Sequence, residues 1–301
     1  MFQRATLKRI TFSSRHITIT YVIILLSAIP VSIQAAPGEC ALDFLNIPVG
    51  AYRASIGQAG YASIKGPEAI FVNPALMGNR TGGFASYQKL FMDMNSQAAA
   101  VNFAPGESYS MGLGIHVFDP GEITGYTSDN TKAGNIKAGD ILIRLGMSRG
   151  DNLSYGLSVS YYSQRLDNQF SRGFGFGFGV SHNFSAARLS LTADNIGPDF
   201  NIGNSSSPLP ARYSVSAWIP LRSYFIDINL DLSYKRNIGI VPAAGLEFSP
   251  ISGFFIRAGS NNDTRLSVGL GFATKKTGID YSYLPSGLFG DRHIFSFSVY
   301  R

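Results

Sequence analysis

The stretch Tyr224-Phe225-Ile226-Asp227-Ile228-Asn229-Leu230-Asp231-Leu232-Ser233-Tyr234 decides the fold. Side chains of a β-strand point alternately to its two faces. Tyr224, Ile226, Ile228, Leu230, Leu232 and Tyr234 therefore share one face, Asp227, Asn229, Asp231 and Ser233 share the other, and only Phe225 breaks the order. A strand with carboxylates on one side and an unbroken apolar row on the other separates water from hydrocarbon. Tyrosines at both ends fit the aromatic girdles at membrane interfaces. Asp227 and Asp231 are then wetted, lumen-facing charges.

Residues 172–184 repeat the pattern, with Gly173, Gly175, Gly177 and Gly179 on one face and Phe174, Phe176, Phe178 and Val180 on the other. A glycine-rich phosphate loop needs a strand before it and a helix after it, whereas these glycines recur inside the strand. They read as inward positions, Gly175 and Gly177 among them, where small residues let the wall curve or a plug approach closely. Twelve further alternating segments lie at 83–91, 97–104, 109–118, 138–148, 154–164, 188–195, 212–219, 238–248, 253–260, 264–273, 276–284 and 293–300. At roughly 10 residues each they match a tilted transmembrane strand. The reading is an all-β membrane protein: a single closed antiparallel transmembrane β-barrel of about 14 strands over residues 83–301, the even count that bacterial barrels favour. The long polar connections 119–137 and 196–211, rich in Gly, Asn, Ser and Pro, suit extracellular loops.

Composition agrees. Of 301 residues only 15% are charged, against about 25% in soluble domains, and beyond the leader no apolar run approaches the roughly 18 residues of a spanning helix. Removing Arg4, Lys8, Arg9 and Arg15, which precede the expected cleavage point in an acid-free stretch, lowers the net charge from +6 to +2. The scattered cations left form no stripe for a nucleic acid. Cys40 is the single cysteine, so no intramolecular disulfide forms, and Pro37-Gly38-Glu39 before it is no lipoprotein context.

Residues 1–36 read as a signal peptide: a basic start, an apolar run over 21–33 and small residues at Gln34-Ala35-Ala36. Export to the outer membrane of a Gram-negative cell follows. Residues 37–82 do not read as strands. Residues 51–64 have a helix-compatible order, Pro67 opens a second short helix, and Asn73-Pro74 halts it, because a residue before proline avoids the α region. Such a piece fills a lumen as a partly helical N-terminal plug, or caps the barrel without gating it.

This segment carries a resemblance. The string Phe44-Leu45-Asn46-Ile47-Pro48-Val49-Gly50-Ala51-Tyr52-Arg53-Ala54, then Gly57, Gly60, Ala62 and Glu68-Ala69-Ile70-Phe71-Val72-Asn73-Pro74-Ala75, resembles the N-terminal signature of the PorV/PorQ family of outer-membrane proteins. The likeness continues at Tyr161-Tyr162-Ser163-Gln164-Arg165-Leu166-Asp167, Asp194-Asn195-Ile196-Gly197, Pro208-Leu209-Pro210 and Asp280-Tyr281-Ser282-Tyr283-Leu284-Pro285. It departs at 55–60, and at Lys65-Gly66, where the family carries acids. The resemblance implies a FadL-like architecture with the N-terminal segment lodged inside. It marks Phe44, Pro48, Gly50, Arg53, Gly57, Gly60, Asn73 and Pro74 as the plug motif. For partners it implies outer-membrane lipid, the barrel-assembly machinery during biogenesis, and type IX secretion components or secreted cargo.

No enzyme is expected. His16, His116, His182 and His293 lack metal-ligand spacing, no nucleophile elbow is present, and Asp227 and Asp231, four residues apart on a strand, lie about 13 Å from each other, too far for concerted acid and base work. No cofactor is implied. Three roles stay open: protein secretion or surface attachment, a FadL-like channel for hydrophobic small molecules, and a structural or adhesive surface barrel.

Overall fold

The computed structural model describes residues 40–301 apart from 107, 204, 237, 263 and 286–289; the leader expected over 1–36, with His16, lies outside the described residues. The strands are β1 Gly82–Lys89, β2 Asn95–Gly106, β3 Tyr109–Asp119, β4 Ile123–Tyr126, β5 Lys132–Ile136, β6 Ala138–Gly150, β7 Leu153–Leu166, β8 Gln169–Asn183, β9 Arg188–Ile196, β10 Phe200–Ile202, β11 Ser205–Ser207, β12 Arg212–Leu221, β13 Ile226–Lys235, β14 Gly239–Ile251, β15 Phe254–Asn261, β16 Ser267–Ala273, β17 Thr277–Leu284 and β18 Arg292–Tyr300. Fourteen of them close into one antiparallel barrel in which β1 pairs with β18, while β4–β5 and β10–β11 are separate small hairpins. Each expected segment overlaps one barrel strand. The β4–β5 and β10–β11 hairpins lie inside the long polar connections and were not expected.

The alternation is visible in β6. Ile141, Ile143, Leu145 and Met147 point outward and are exposed, whereas Asp140, Leu142, Arg144 and Ser148 point inward and are buried. A bare apolar exterior over a closed hydrogen-bonded wall is the arrangement hydrocarbon demands, since no backbone group is left at an open edge. Leu145, 60% exposed, tests this: Leu145→Arg is expected to cost about 2–4 kcal/mol near the bilayer midplane, measured by urea unfolding from phospholipid vesicles.

The deciding stretch needs one correction. Tyr224 does not extend the apolar row of β13; it lies in the turn Arg222–Tyr224, 69% exposed, and Phe225 closes that turn at φ 57°. The residue that broke the alternation is outside the strand, which begins at Ile226.

β1 starts at Gly82 beside Tyr300, and sequential antiparallel pairing carries both long connections, 120–137 and 197–211, to the opposite end. Long loops mark the outer end of such barrels and short turns the periplasmic end.

Residues 40–81 occupy the lumen. They hold the helix α1, Ala51–Ser55, and 3-10 turns at Asp43–Asn46, Pro67–Phe71 and Pro74–Leu76. Over 51–64, α1 stops early because Gly57 and Gln58 adopt φ 68° and 62°, left-handed values that glycine takes without strain. Gly57 is also needed for space, since a Cβ there would lie 2.4 Å from the backbone N of Ser260.

Candidate functional site

Of the residues expected as the plug motif, some make contacts within the plug and others reach the wall. Asn73, fully buried, accepts from Ala75 N at 3.2 Å through Oδ1, capping the turn that Pro74 opens. Its Nδ2 donates to Tyr61 O at 2.7 Å and Ser181 Oγ at 3.1 Å, joining two plug segments and the wall. Arg53 donates to Gln58 O at 2.5 Å and Ala59 O at 3.3 Å and lies 4.3 Å from the centre of the Tyr61 ring. Gly57 N donates to Ser267 Oγ at 2.9 Å, and Gly60, at φ 104°, sits beside Ile56. Pro48 is buried, and Phe44 packs 5.3 Å from His116 and 6.3 Å from Phe118 by ring centres.

The lumen-facing candidates point inward as well, but they meet protein. Asp231, 5% exposed, accepts from Tyr61 N at 3.2 Å, so it is a docking carboxylate and not a wetted charge. Asp227, half-buried, accepts from Trp218 Nε1 at 3.1 Å. A Cβ on Gly175 would lie 2.6 Å from Tyr162 OH, and one on Gly177 2.8 Å from Asp194 Oδ1. Lys65, at the departure from the family pattern, stands 5.3 Å from the centre of the Trp218 ring.

Gly50 and Glu68 form a further contact, because a Cβ on Gly50 would fall 2.1 Å from Glu68 Oε1. That oxygen has no hydrogen-bond partner among the described residues. Burial first, and the nearby Asp280 carboxylate second, push this plug acid up to about 8, against the opposing pull of Arg53 and Arg257. A carboxyl raised in the docked state and ordinary at about 4.5 when released favours docking at low pH. Docking is expected to weaken as pH rises from about 4.5 to about 8 and to change no further above it on this group's account. Tryptic cleavage of the plug at pH 5, 7 and 9 measures this, and Glu68→Gln should remove the dependence.

A buried network that sequence reasoning missed ties the plug to the wall. Arg144, 2% exposed, pairs with Asp194 at 3.0 Å and donates to Ser160 Oγ at 2.8 Å, Asn195 Oδ1 at 3.0 Å and the plug carbonyl of Ile70 at 3.4 Å. Tyr162 OH also donates to Asn195 Oδ1 at 3.0 Å. The signal was present as the one arginine among the inward positions of an apolar strand, but its partners are distant in sequence.

Asp194 and Asn195 lie where the wall is irregular. β8 and β9 pair at Phe178↔Ala193 and then at Phe176↔Ile196, so a two-residue bulge faces Gly177, and Asn195 takes φ 55°. The other barrel register shifts, Phe103/Gly106 and Phe248/Ile251, adjoin short turns. Beyond Phe176, residues 169–175 of β8 run past the end of β9, and the 197–211 connection covers them. Phe200 lies against Gly173, and Phe200 and Leu209, each 1% exposed, share one apolar cluster with Leu42 and Phe44 of the plug. Ala41 N donates to Pro208 O at 3.1 Å.

Next to this cover is a cleft of about 410 Å³ at the outer mouth. The plug lines it with Leu42, Phe44 and Ile47, and the wall and loop with Phe118, Asp140, Gln164 and Ile202. Its shape is set by a plugged barrel with one covered interruption. Solved barrels share the overall fold.

A mutant of the TodX monoaromatic hydrocarbon channel superposes with TM-score 0.64 at 11% identity, covering 84% of this chain and 98% of that one. The CymD monoaromatic hydrocarbon channel gives 0.62 at 12% identity over 85% and 98%, and the Pseudomonas putida toluene transporter TodX 0.59 at 12% over 83% and 97%. The fold is that of a fourteen-stranded outer-membrane β-barrel. No protein-family model and no curated protein matches the chain, so the FadL-like architecture implied by the motif resemblance finds structural counterparts and the PorV/PorQ membership finds none.

Proposed function

We propose that the chain is an outer-membrane channel for small hydrophobic molecules, which settle in the outer cleft and leave when the cover over the β8–β9 interruption and the adjoining plug shift. The observation that carries this reading is the shared apolar cluster of Phe200 and Leu209 with Leu42 and Phe44, placed over the one register shift away from the hairpin turns. A closed backbone ladder gives an apolar solute no lateral exit, because unpaired backbone groups are costly in hydrocarbon; a bulge beside a strand end covered by side chains does. The similar structures, channels described as carrying monoaromatic hydrocarbons or toluene, support the same reading.

Cells expressing the chain are expected to accumulate the hydrophobic dye N-phenylnaphthylamine across an intact outer membrane severalfold faster than cells without it. Equal rates would sink the proposal. The secretion role rests on the motif resemblance alone, and an unchanged secreted and surface-attached proteome in a deletion strain would remove it.

A further inference from the structure

We propose that the outer cleft takes a small protonated amine carrying an apolar body, with the ammonium on Asp140 and the body against Phe44 and Phe118. This rests on the channel reading and adds the substrate class. Asp140 sits directly across the β6–β7 pair from Gln164, lines the cleft and is 8% exposed. The amide of Gln164 is its cross-strand neighbour. One amide does not fill the acceptor capacity of two carboxylate oxygens.

Asp43 is the second acid of the lining, and no Lys or Arg is among the lining residues. The contrast with the periplasmic-side cavity, about 300 Å³, is direct. There Arg257 already joins Glu247 and Asp280 at 2.5 and 2.6 Å, so the protein supplies its own cations. A carboxylate held between apolar walls with no protein cation is costly, and a ligand ammonium compensates it with a charge-assisted hydrogen bond. The rest of the lining, Leu42, Phe44, Ile47, Phe118 and Ile202, demands that the remainder of the ligand be apolar. An anionic amphiphile would meet the Asp140 carboxylate and be repelled.

The test is calorimetric titration of the full mature chain in zwitterionic lipid nanodiscs, with empty discs as the control. The probes are phenethylamine, 2-phenylethanol and ethylbenzene at pH 7, matched in size and differing in the terminal group. Phenethylamine is expected to bind about tenfold more tightly than 2-phenylethanol, the scale of one charge-assisted hydrogen bond over a neutral one. Asp140→Asn should erase the difference while the alcohol's affinity stays unchanged.

Equal affinities on the native chain would overturn the proposal, whether or not the variant folds. So would a preference that survives Asp140→Asn. Binding of ethylbenzene and the alcohol without amine preference overturns the amine assignment and leaves the channel reading standing. Failure of all three to bind, together with no dye uptake in cells, removes both.

Discussion

Replacing Gly245 and Gly259 together with valine is expected to open the barrel. The two residues face each other across β14 and β15, and both point into the lumen under α1's end. A Cβ on Gly259 would lie 2.1 Å from the carbonyl carbon of Ile56 and 2.3 Å from Gly57 N; one on Gly245 would lie 2.4 Å from Ile56 Cβ. The obstacle is mostly plug backbone, which cannot rotate aside as a side chain does. Overpacking typically costs about 1–3 kcal/mol per site, and two sites press on the same turn. Because the wall is a closed hydrogen-bonded ladder and the plug is joined to it by side-chain contacts, the plug is the part that yields. Planar-bilayer conductance should rise about tenfold or more, as expected when a lumen of this strand number is unblocked, while the folded gel mobility of the barrel is kept. Valine at Leu270, a lipid-facing position, serves as control. A double variant that stays closed with an intact plug would show that the glycine pair does not govern docking.

Loss of Arg144 is the second large effect. Arg144→Ala leaves Asp194 without its cation inside a site where Arg144 is 2% exposed and the Asp194 side chain 11%; it also takes one donor from Asn195 and strands the Ile70 carbonyl. Removing one partner of a buried pair costs about 3–5 kcal/mol. The double change Arg144→Met with Asp194→Leu should recover much of it, since no charge is then buried alone. Urea unfolding from vesicles measures both, and a loss below about 1 kcal/mol for Arg144→Ala would contradict the assignment of this network as a plug-to-wall tie. The ion pair also sits at the β8–β9 bulge, so dye uptake in Arg144→Ala should differ from the native chain if the cover there moves during transport.

Much of the barrel was legible because period two is a local property. Each residue of β8 reveals its face from its two neighbours, which is why Phe176 read as outward and Gly175 as inward. Tyr224 was misread because a turn residue with the right hydropathy continues the alternation in the string while the backbone has already left the strand. The β4–β5 and β10–β11 hairpins escaped because their strands are only three to five residues long, too short for an alternation to show in the string. Of the plug, Asn73-Pro74 and Pro67 announced their turns by backbone chemistry, but the early end of α1 depends on Gly57 meeting Ser260, a contact across 203 positions.

The chain alone determined which faces of the strands touch lipid and which look inward, that about fourteen strands close the wall, and that a non-strand segment precedes them. All of that follows from alternation and turn chemistry within a few residues. Only the tertiary structure decided that Asp231 holds Tyr61, that Arg144 finds Asp194 at a bulge, and that Asp140 is left facing a cleft. Those outcomes depend on where the plug runs and on one slip of register between β8 and β9, and both are set by the simultaneous fit of elements that local sequence does not bring together.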